Sequence, residues 1–233
     1  MIASGKGGTG KSTLAVHLGG RLAAHGRRVL LVELDSGLRS VDLIAGVCGK
    51  TVYDLEDIFS GRCDPDKAVV ESPAFPGLFL ISAPYSGGCI RPEQLRLLTG
   101  RMAASFDYIL LDTAAGLGEA FTAAEGAASA ALVVTTPDPV TVRDGRIVAD
   151  SLFEAGIPRV RLLLNRVAER NPIRDLDECI DTVGAQLIGV VPESAALAAA
   201  AAEGRPLTEG RCGAALDNIA RRIIGEEVPL AVR

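Results

Sequence analysis

Short apolar runs alternate along the chain with longer segments in which apolar residues recur at helical spacing. The apolar runs cover residues 28–34, 78–82, 108–113, 131–136, 161–165 and 187–191. They are continuous, which is typical of parallel strands buried on both faces. Helix candidates lie around them at 11–25, 92–105, 118–128, 140–155, 173–183, 194–202 and 212–224. This alternation predicts an α/β fold with a mostly parallel sheet and helices on both faces.

The chain shows no linker, internal repeat or break in composition, so residues 1–233 are predicted to form a single domain. The expected first strand is short for a central strand, because only three residues precede Ser4. We expect that the start of the chain is trimmed or misassigned.

Composition and charge exclude several functional classes. Apolar residues make up 48% of the chain and charged residues 23%, enough for a packed core. The net charge is −5 and the arginines are scattered, so charge does not support nucleic-acid binding. The five cysteines are widely spaced, which favours reduced thiols over a disulfide framework or a zinc site.

No run of 18 apolar residues occurs, and the glycine-rich segment at residue 5 leaves no space for a signal peptide. We therefore expect a cytoplasmic protein, with peripheral attachment to the inner membrane left open.

Only four lysines occur among the 24 basic residues, and two of them, Lys6 and Lys11, share one glycine-rich stretch. Residues 5–12 read GKGGTGKS and match the phosphate-binding pattern GxxxxGK[ST]. Glycines let backbone N–H groups face phosphate oxygens, and the following helix adds its positive N-terminus. Lys11 supplies a charge for the β- and γ-phosphates, and Ser12 supplies an oxygen for Mg²⁺. The predicted nucleotide-binding residues of this loop are Gly7, Gly8, Thr9, Gly10, Lys11, Ser12 and Thr13.

Two carboxylates follow predicted strands at the ends where open α/β sheets bind ligands. Asp112 ends the apolar run YILLD and is predicted to hold Mg²⁺ through water. Asp35 follows the run at 28–34. Asp42, a few residues later, is expected to be a helix cap or a surface charge.

The loop sequence GKGGTGKST resembles the deviant Walker A motif of the MinD/ParA family of P-loop ATPases. Further segments are similar to the family's motifs: ELDSGLRSVD from residue 33, DTAAG from 112, TTP from 135 with VRD from 142, NR at 165 and GVVPE from 189. The resemblance extends from residue 4 to about 225, and the GLRSVD string favours the MinD side of the family.

The resemblance implies roles for individual residues. Lys6 would reach across an ATP-dependent homodimer to the partner's nucleotide, and Asp35 would orient the attacking water near Mg²⁺. The Gly116 N–H would approach the γ-phosphate, while Asn165 and Pro192 would lie on the adenine side. Glu33 stands where the family has aspartate, so an outer Mg²⁺ role is in question there. Ala114 replaces a proline, which leaves the stiffness of its loop in question.

The resemblance further implies an ATPase that uses ATP and Mg²⁺, dimerises, meets an activating protein partner and regulates the placement of cellular machinery, foremost the division site. Residues 225–233 contain two acids and a proline, so they are not expected to form an amphipathic membrane-targeting helix. Either the chain is cut short or it acts without that anchor, and membrane association is therefore doubtful. The alternatives are a partitioning ATPase, a flagellar-number ATPase and a nucleotide-binding scaffold without hydrolysis.

Overall fold

A computed structural model describes residues 1–37, 39–87, 90–168 and 175–230. Eight strands of these residues form one sheet: β1 (Ile2–Ala3), β2 (Val29–Glu33), β3 (Val70–Glu71), β4 (Leu78–Ile81), β5 (Tyr108–Asp112), β6 (Ala131–Thr135), β7 (Val160–Val167) and β8 (Gln186–Pro192). The strand order is β3-β4-β2-β5-β1-β6-β7-β8. The edge strand β3 pairs antiparallel with β4, and all the other recorded strand pairs are parallel.

Helices connect the strands: α1 (Lys11–Ala24), α2 (Val41–Ile44), α3 (Leu55–Phe59), α4 (Pro65–Ala68), α5 (Pro92–Met102), α6 (Glu119–Glu125), α7 (Pro139–Glu154), α8 (Leu176–Val183), α9 (Ala195–Ala202) and α10 (Gly210–Ile223). Two apolar clusters lie on opposite faces of the sheet. One packs α5 to α8 against the strands, and the other packs α1, α9 and α10. The predicted α/β class, parallel sheet and two-sided helical cover are confirmed.

The sequence explains why the main elements form where they do. All five residues of β2 are buried, as the continuous apolar run predicted. Side chains of Asp138, Asp175 and Ser194 cap the N-termini of α7, α8 and α9, because each accepts a backbone N–H of the first turn. Gly184 ends α8 in the left-handed conformation (φ 72°) that glycine adopts without strain.

The expected strands and long helices are present, with ends shifted by a few residues. The first two residues of the predicted helix 173–183 lie outside the described residues, and so do Leu38 of the GLRSVD string and Cys89, one of the five cysteines. Sequence reasoning missed α2, α3, α4 and β3, each of five residues or fewer, since elements this short carry too little periodicity to be recognised. No described helix has the length and apolar character needed to cross a membrane.

Candidate functional site

The glycine-rich loop connects β1 to α1 at the carboxyl end of the central strands. Gly8 and Gly10 adopt φ values of 82° and 88°, which side chains rarely tolerate. Gly7 and Gly8 are exposed, and the first turn of α1 contains no acidic residue. The loop therefore presents backbone N–H groups and a helix N-terminus to solvent, as an anion-binding site requires.

Lys11 and Asp112 form a buried ion pair at the start of α1. Lys11 Nζ lies 3.1 Å from Asp112 Oδ1, and the two side chains are 8% and 0% exposed. Burial raises the pKa of Asp112, and the neighbouring charge of Lys11 opposes that shift. The parallel pairing of β1 and β5 brings these residues together although 101 positions separate them.

The residues predicted to bind Mg²⁺ lie around that pair and fit the ion. Asp112 Oδ2 is buried and has no hydrogen-bond partner among the described residues. The Ser12 hydroxyl lowers the pKa of Asp112 and the charge of Asp35 raises it, so both groups lie near the Asp112 carboxylate. These are hard oxygen donors, and Mg²⁺ is usually held by one or two carboxylates together with substrate phosphates. The described residues contain no group of three His, Cys, Asp or Glu side chains that could hold a metal ion.

Glu33 lies beside Asp112 and organises the segment that follows β2. Its Oε1 accepts the Val41 N–H at 3.0 Å, at the start of α2. Glu33 is 1% exposed, and burial raises the pKa of its carboxyl group from 4.5 to about 7. The residue that replaces the family's aspartate thus holds the first turn of α2.

The expectation that Asp42 is a helix cap or a surface charge is wrong. Its side chain is buried, and Arg39 Nε lies 3.6 Å from its Oδ2. The Arg39 guanidinium also lies 3.9 Å from the Tyr85 ring centroid and donates to Thr51 Oγ1. Sequence reasoning missed Arg39 and Tyr85 as supports of this segment. The only local signal was an arginine within the GLRSVD string, and its partners lie elsewhere in the chain.

The loop after β5 closes onto the phosphate loop. Gly116 has φ 83° and donates its N–H to Ser4 O at 2.8 Å. The predicted contact of this N–H with a γ-phosphate requires that the Ser4 bond be broken first. Gly116 is therefore bound to the loop in the structure and would have to be released on nucleotide binding.

Asn165 supports the phosphate loop from β7. Its Nδ2 donates to Thr9 O at 2.7 Å, and the side chain is 4% exposed. A Cβ at Gly10 would lie 2.4 Å from the same Nδ2, so glycine is required where the two elements meet. The register of β7 against β8 shifts between Leu164 and Val167, and Arg166, within this interval, is exposed with φ 55°. The adenine contact of Asn165 stays a prediction.

A pocket of about 320 Å³ opens beside the loop. Its lining includes Lys6, Gly8, Thr136, Asp138, Arg166 and Glu193. Lys6 is exposed at this pocket. Pro192 ends β8 opposite Val167 and precedes Glu193. The structure thus brings the predicted phosphate and adenine sides together at one end of the sheet. Sequence reasoning missed Asp138 as a lining residue, since its capping role shows only in the structure.

Comparison with known proteins gives a consistent result. The family model described as the CobQ/CobB/MinD/ParA nucleotide binding domain matches residues 1–207. The septum site-determining protein MinD of Bacillus subtilis (strain 168) is 36% identical over 243 aligned positions, covering 100% of this chain and 91% of that protein. The MinD protein of Synechocystis sp. is 34% identical, covering 98% of this chain and 90% of its own length.

Solved structures give the same picture. The chain superposes on a chain of the MinC:MinD cell division protein complex of Aquifex aeolicus with a TM-score of 0.91 and 31% identity, covering 99% of this chain and 96% of that one. MinD of Pyrococcus horikoshii, solved in complex with Mg-ADP, has a TM-score of 0.86 and 26% identity, with 96% and 94% covered.

Proposed function

This chain belongs to the CobQ/CobB/MinD/ParA nucleotide-binding family, and we propose that it works as a MinD-like ATPase that binds ATP with Mg²⁺, hydrolyses it and takes part in placing the division site. The observation that carries this function is the buried Lys11–Asp112 pair, which joins the end of β5 to the start of α1, directly after the glycine-rich loop. Residues 1–233 act as one ATPase domain in this proposal.

The loop and the start of α1 would bind the phosphates. Backbone N–H groups of residues 7–13 surround the phosphate position, and Lys11 moves from Asp112 to the β- and γ-phosphates. That movement leaves the Asp112 carboxylate to hold Mg²⁺ through water, together with Ser12 and Asp35, and the ion when bound would neutralise charge on the phosphates. The unpartnered Asp112 Oδ2 supports this assignment.

Hydrolysis would depend on Asp35 and Lys6. Asp35 follows β2 and is half-buried at the same edge of the sheet as Asp112, where it orients a water molecule toward the γ-phosphate. Lys6 is exposed at the pocket beside the loop, so its ammonium group is accessible from solvent. We therefore place Lys6 at the nucleotide of the partner in an ATP-dependent homodimer.

The exchange between monomer and dimer would make the protein a switch. ATP favours the dimer, and hydrolysis returns the chain to the monomer, with an activating protein partner setting the rate. The activity would take place in the cytoplasm, next to the inner membrane at the division site.

The central experiment measures phosphate release from ATP as a function of Mg²⁺ concentration for the natural protein and for Asp112→Asn. We expect Mg²⁺-dependent release by the natural protein and a loss of at least about 100-fold in the variant, because a neutral amide binds the water ligands of the ion more weakly than a carboxylate does. Asp181→Asn, which alters an exposed carboxylate on α8, is the control and should behave as the natural protein. Release that is independent of Mg²⁺, or unaffected by Asp112→Asn, would contradict the proposed site.

A further inference from the structure

The segment between β2 and α2 carries Asp35 and is held on both sides of that residue. Before it, Leu34 donates its N–H to Asp112 O at 2.8 Å. After it, Gly37 donates its N–H to Pro84 O at 3.1 Å, in the loop that follows β4. The position of Asp35 therefore depends on the ends of both strands that flank β2 in the sheet.

Four positions after Asp35, the backbone of Arg39 has an unfavourable conformation. Its φ is 43°, in the left-handed region that residues other than glycine seldom adopt. Such a conformation persists where the surrounding contacts impose it, and it is found most often near functional sites. The contacts of the Arg39 side chain therefore help to decide whether this stretch of backbone keeps its shape.

Three side chains contact the Arg39 guanidinium. Its Nε lies 3.6 Å from Asp42 Oδ2, beyond hydrogen-bond distance, and its Nη2 donates to Thr51 Oγ1. Its Cζ lies over the Tyr85 ring, 3.9 Å from the ring centroid, which is a cation–π contact. Asp42 attracts the charge without directing a hydrogen bond, so the orientation of the guanidinium depends on Thr51 and Tyr85.

The two members of the cation–π contact differ in exposure. Arg39 is 7% exposed, whereas Tyr85 is 64% exposed. One face of the tyrosine ring thus lies against the buried arginine while most of its side chain is in solvent. Because so much of Tyr85 is exposed, its replacement should cost the core little, and its effect on Arg39 can be measured separately from unfolding.

The loop that carries Tyr85 is itself fixed to α3. Ser86 Oγ donates to Glu56 Oε2 at 2.7 Å, and the Leu55 N–H donates to Ser82 O at 3.1 Å. These bonds lie on either side of Tyr85 in the loop. The tyrosine therefore stands on a supported base from which it can hold the arginine in place.

We propose that Tyr85 is a positioning residue for ATP hydrolysis, which acts through Arg39 to fix the segment that carries Asp35. This inference rests on the function proposed above and on the assignment of Asp35 to the attacking water. A displacement of ~1 Å can lower the rate of such a step by about 100-fold. ATP itself is bound by the phosphate loop, so Tyr85 should affect turnover and leave ATP affinity unchanged.

The first measurement is phosphate release as a function of ATP concentration, together with calorimetry of ATP binding. Tyr85→Leu removes the aromatic face and keeps a bulky apolar side chain, whereas Tyr85→Phe keeps the ring. We expect Tyr85→Leu to lower kcat at least about fivefold with ATP affinity within about twofold of the natural protein, and Tyr85→Phe to behave as the natural protein. Leu97→Ala, which shortens an exposed apolar side chain on α5, is the control. Unchanged kcat in Tyr85→Leu, or equal losses in both tyrosine variants, would overturn the proposal.

The second measurement needs no hydrolysis. Hydrogen exchange is followed in the nucleotide-free protein at the Gly37 and Val41 amides, which are bonded to Pro84 O and Glu33 Oε1. We expect exchange at least about fivefold faster in Tyr85→Leu and unchanged in Tyr85→Phe. A natural protein that releases no phosphate would contradict the proposed function, and exchange would still show whether Tyr85 fixes the segment. Unchanged exchange in Tyr85→Leu would show that it does not.

The variant Arg39→Lys tests the route. Lysine keeps a charge for Asp42 and loses the planar group that lies on the ring. If Tyr85 acts through Arg39, Tyr85→Leu should change kcat by less than about twofold in the Arg39→Lys background. A full loss in that background would show that Tyr85 acts by another route and would contradict the proposal. If Arg39→Lys does not fold, the two tyrosine variants decide.

Discussion

Lys11 Nζ lies 3.1 Å from Asp112 Oδ1, and this pair joins the phosphate loop to the end of β5. Removing one partner of a buried pair leaves the other charge without compensation. In the nucleotide-free site each group compensates the charge of the other, and their separation makes both available, the ammonium to phosphate and the carboxylate to Mg²⁺. Lys11 is thus the residue on which nucleotide binding depends most directly.

Substitution Lys11→Ala is expected to lower ATP affinity by at least about 100-fold, because the phosphates lose a charge-assisted contact. Isothermal titration calorimetry measures this loss. Lys67→Ala, which removes an exposed lysine on α4, is the control and should bind ATP normally. ATP affinity that is unchanged in Lys11→Ala would remove the phosphate-loop assignment.

Substitution Lys6→Ala should leave ATP binding within about threefold and abolish ATP-dependent dimerisation and turnover. The side chain is exposed at the pocket, so its loss costs the monomer little. Sedimentation velocity with and without ATP distinguishes monomer from dimer, with the exposed Lys50→Ala as control. A stable ATP dimer formed by Lys6→Ala would rule out the proposed role across the subunit interface.

Substitution Asp35→Ala should trap the ATP-bound dimer, because binding is kept while the group that orients water is lost. We expect phosphate release to fall by about 100-fold or more, and the dimer to persist in sedimentation after ATP is added. Asp181→Ala is the control, and it should release phosphate and return to monomer. Normal turnover by Asp35→Ala would exclude Asp35 as the residue that positions water.

The sequence was sufficient to predict the parallel sheet and the phosphate loop, since both depend on local patterns. β2 is an apolar run buried at each position, and the loop is a contiguous motif. The side-chain contacts that hold the segment after β2 in place could not be predicted from local patterns. Arg39 meets Tyr85 and Thr51 only through tertiary packing, and the same arginine buries Asp42, a charged residue that sequence alone places at the surface.

Substitution Asn165→Ala should weaken the binding of ATP and of inorganic tripolyphosphate by the same factor, about three- to tenfold. The amide supports Thr9 of the phosphate loop, and a neutral hydrogen bond contributes ~1 kcal/mol. Calorimetry measures the affinity for both ligands. The control is Gln186→Ala, which removes an exposed amide on β8. A loss confined to ATP would assign Asn165 to the adenine base instead of the loop.

Glu33 should make the stability of the nucleotide-free protein depend on pH. Burial raises the pKa of its carboxyl group from 4.5 to about 7, and the nearby Asp112 and Asp42 charges add to this shift. Between these two pH values the folded chain binds a proton that the unfolded chain has released. The free energy of unfolding therefore falls as pH rises through this window and is level above it.

The variant Glu33→Gln removes this titration and keeps an oxygen for the Val41 N–H. The natural protein should lose roughly 3 kcal/mol relative to the variant between pH 4.5 and 7, which corresponds to a difference of about 6–12 °C in thermal midpoint. Thermal unfolding in Mg²⁺-free buffer at several pH values measures the difference in midpoint between the two proteins. Groups that titrate in both proteins contribute equally and cancel in this difference. Glu154→Gln, an exposed carboxylate on α7, should follow the natural protein at every pH. Parallel pH curves for the natural protein and Glu33→Gln would show that the buried carboxyl does not titrate in this range.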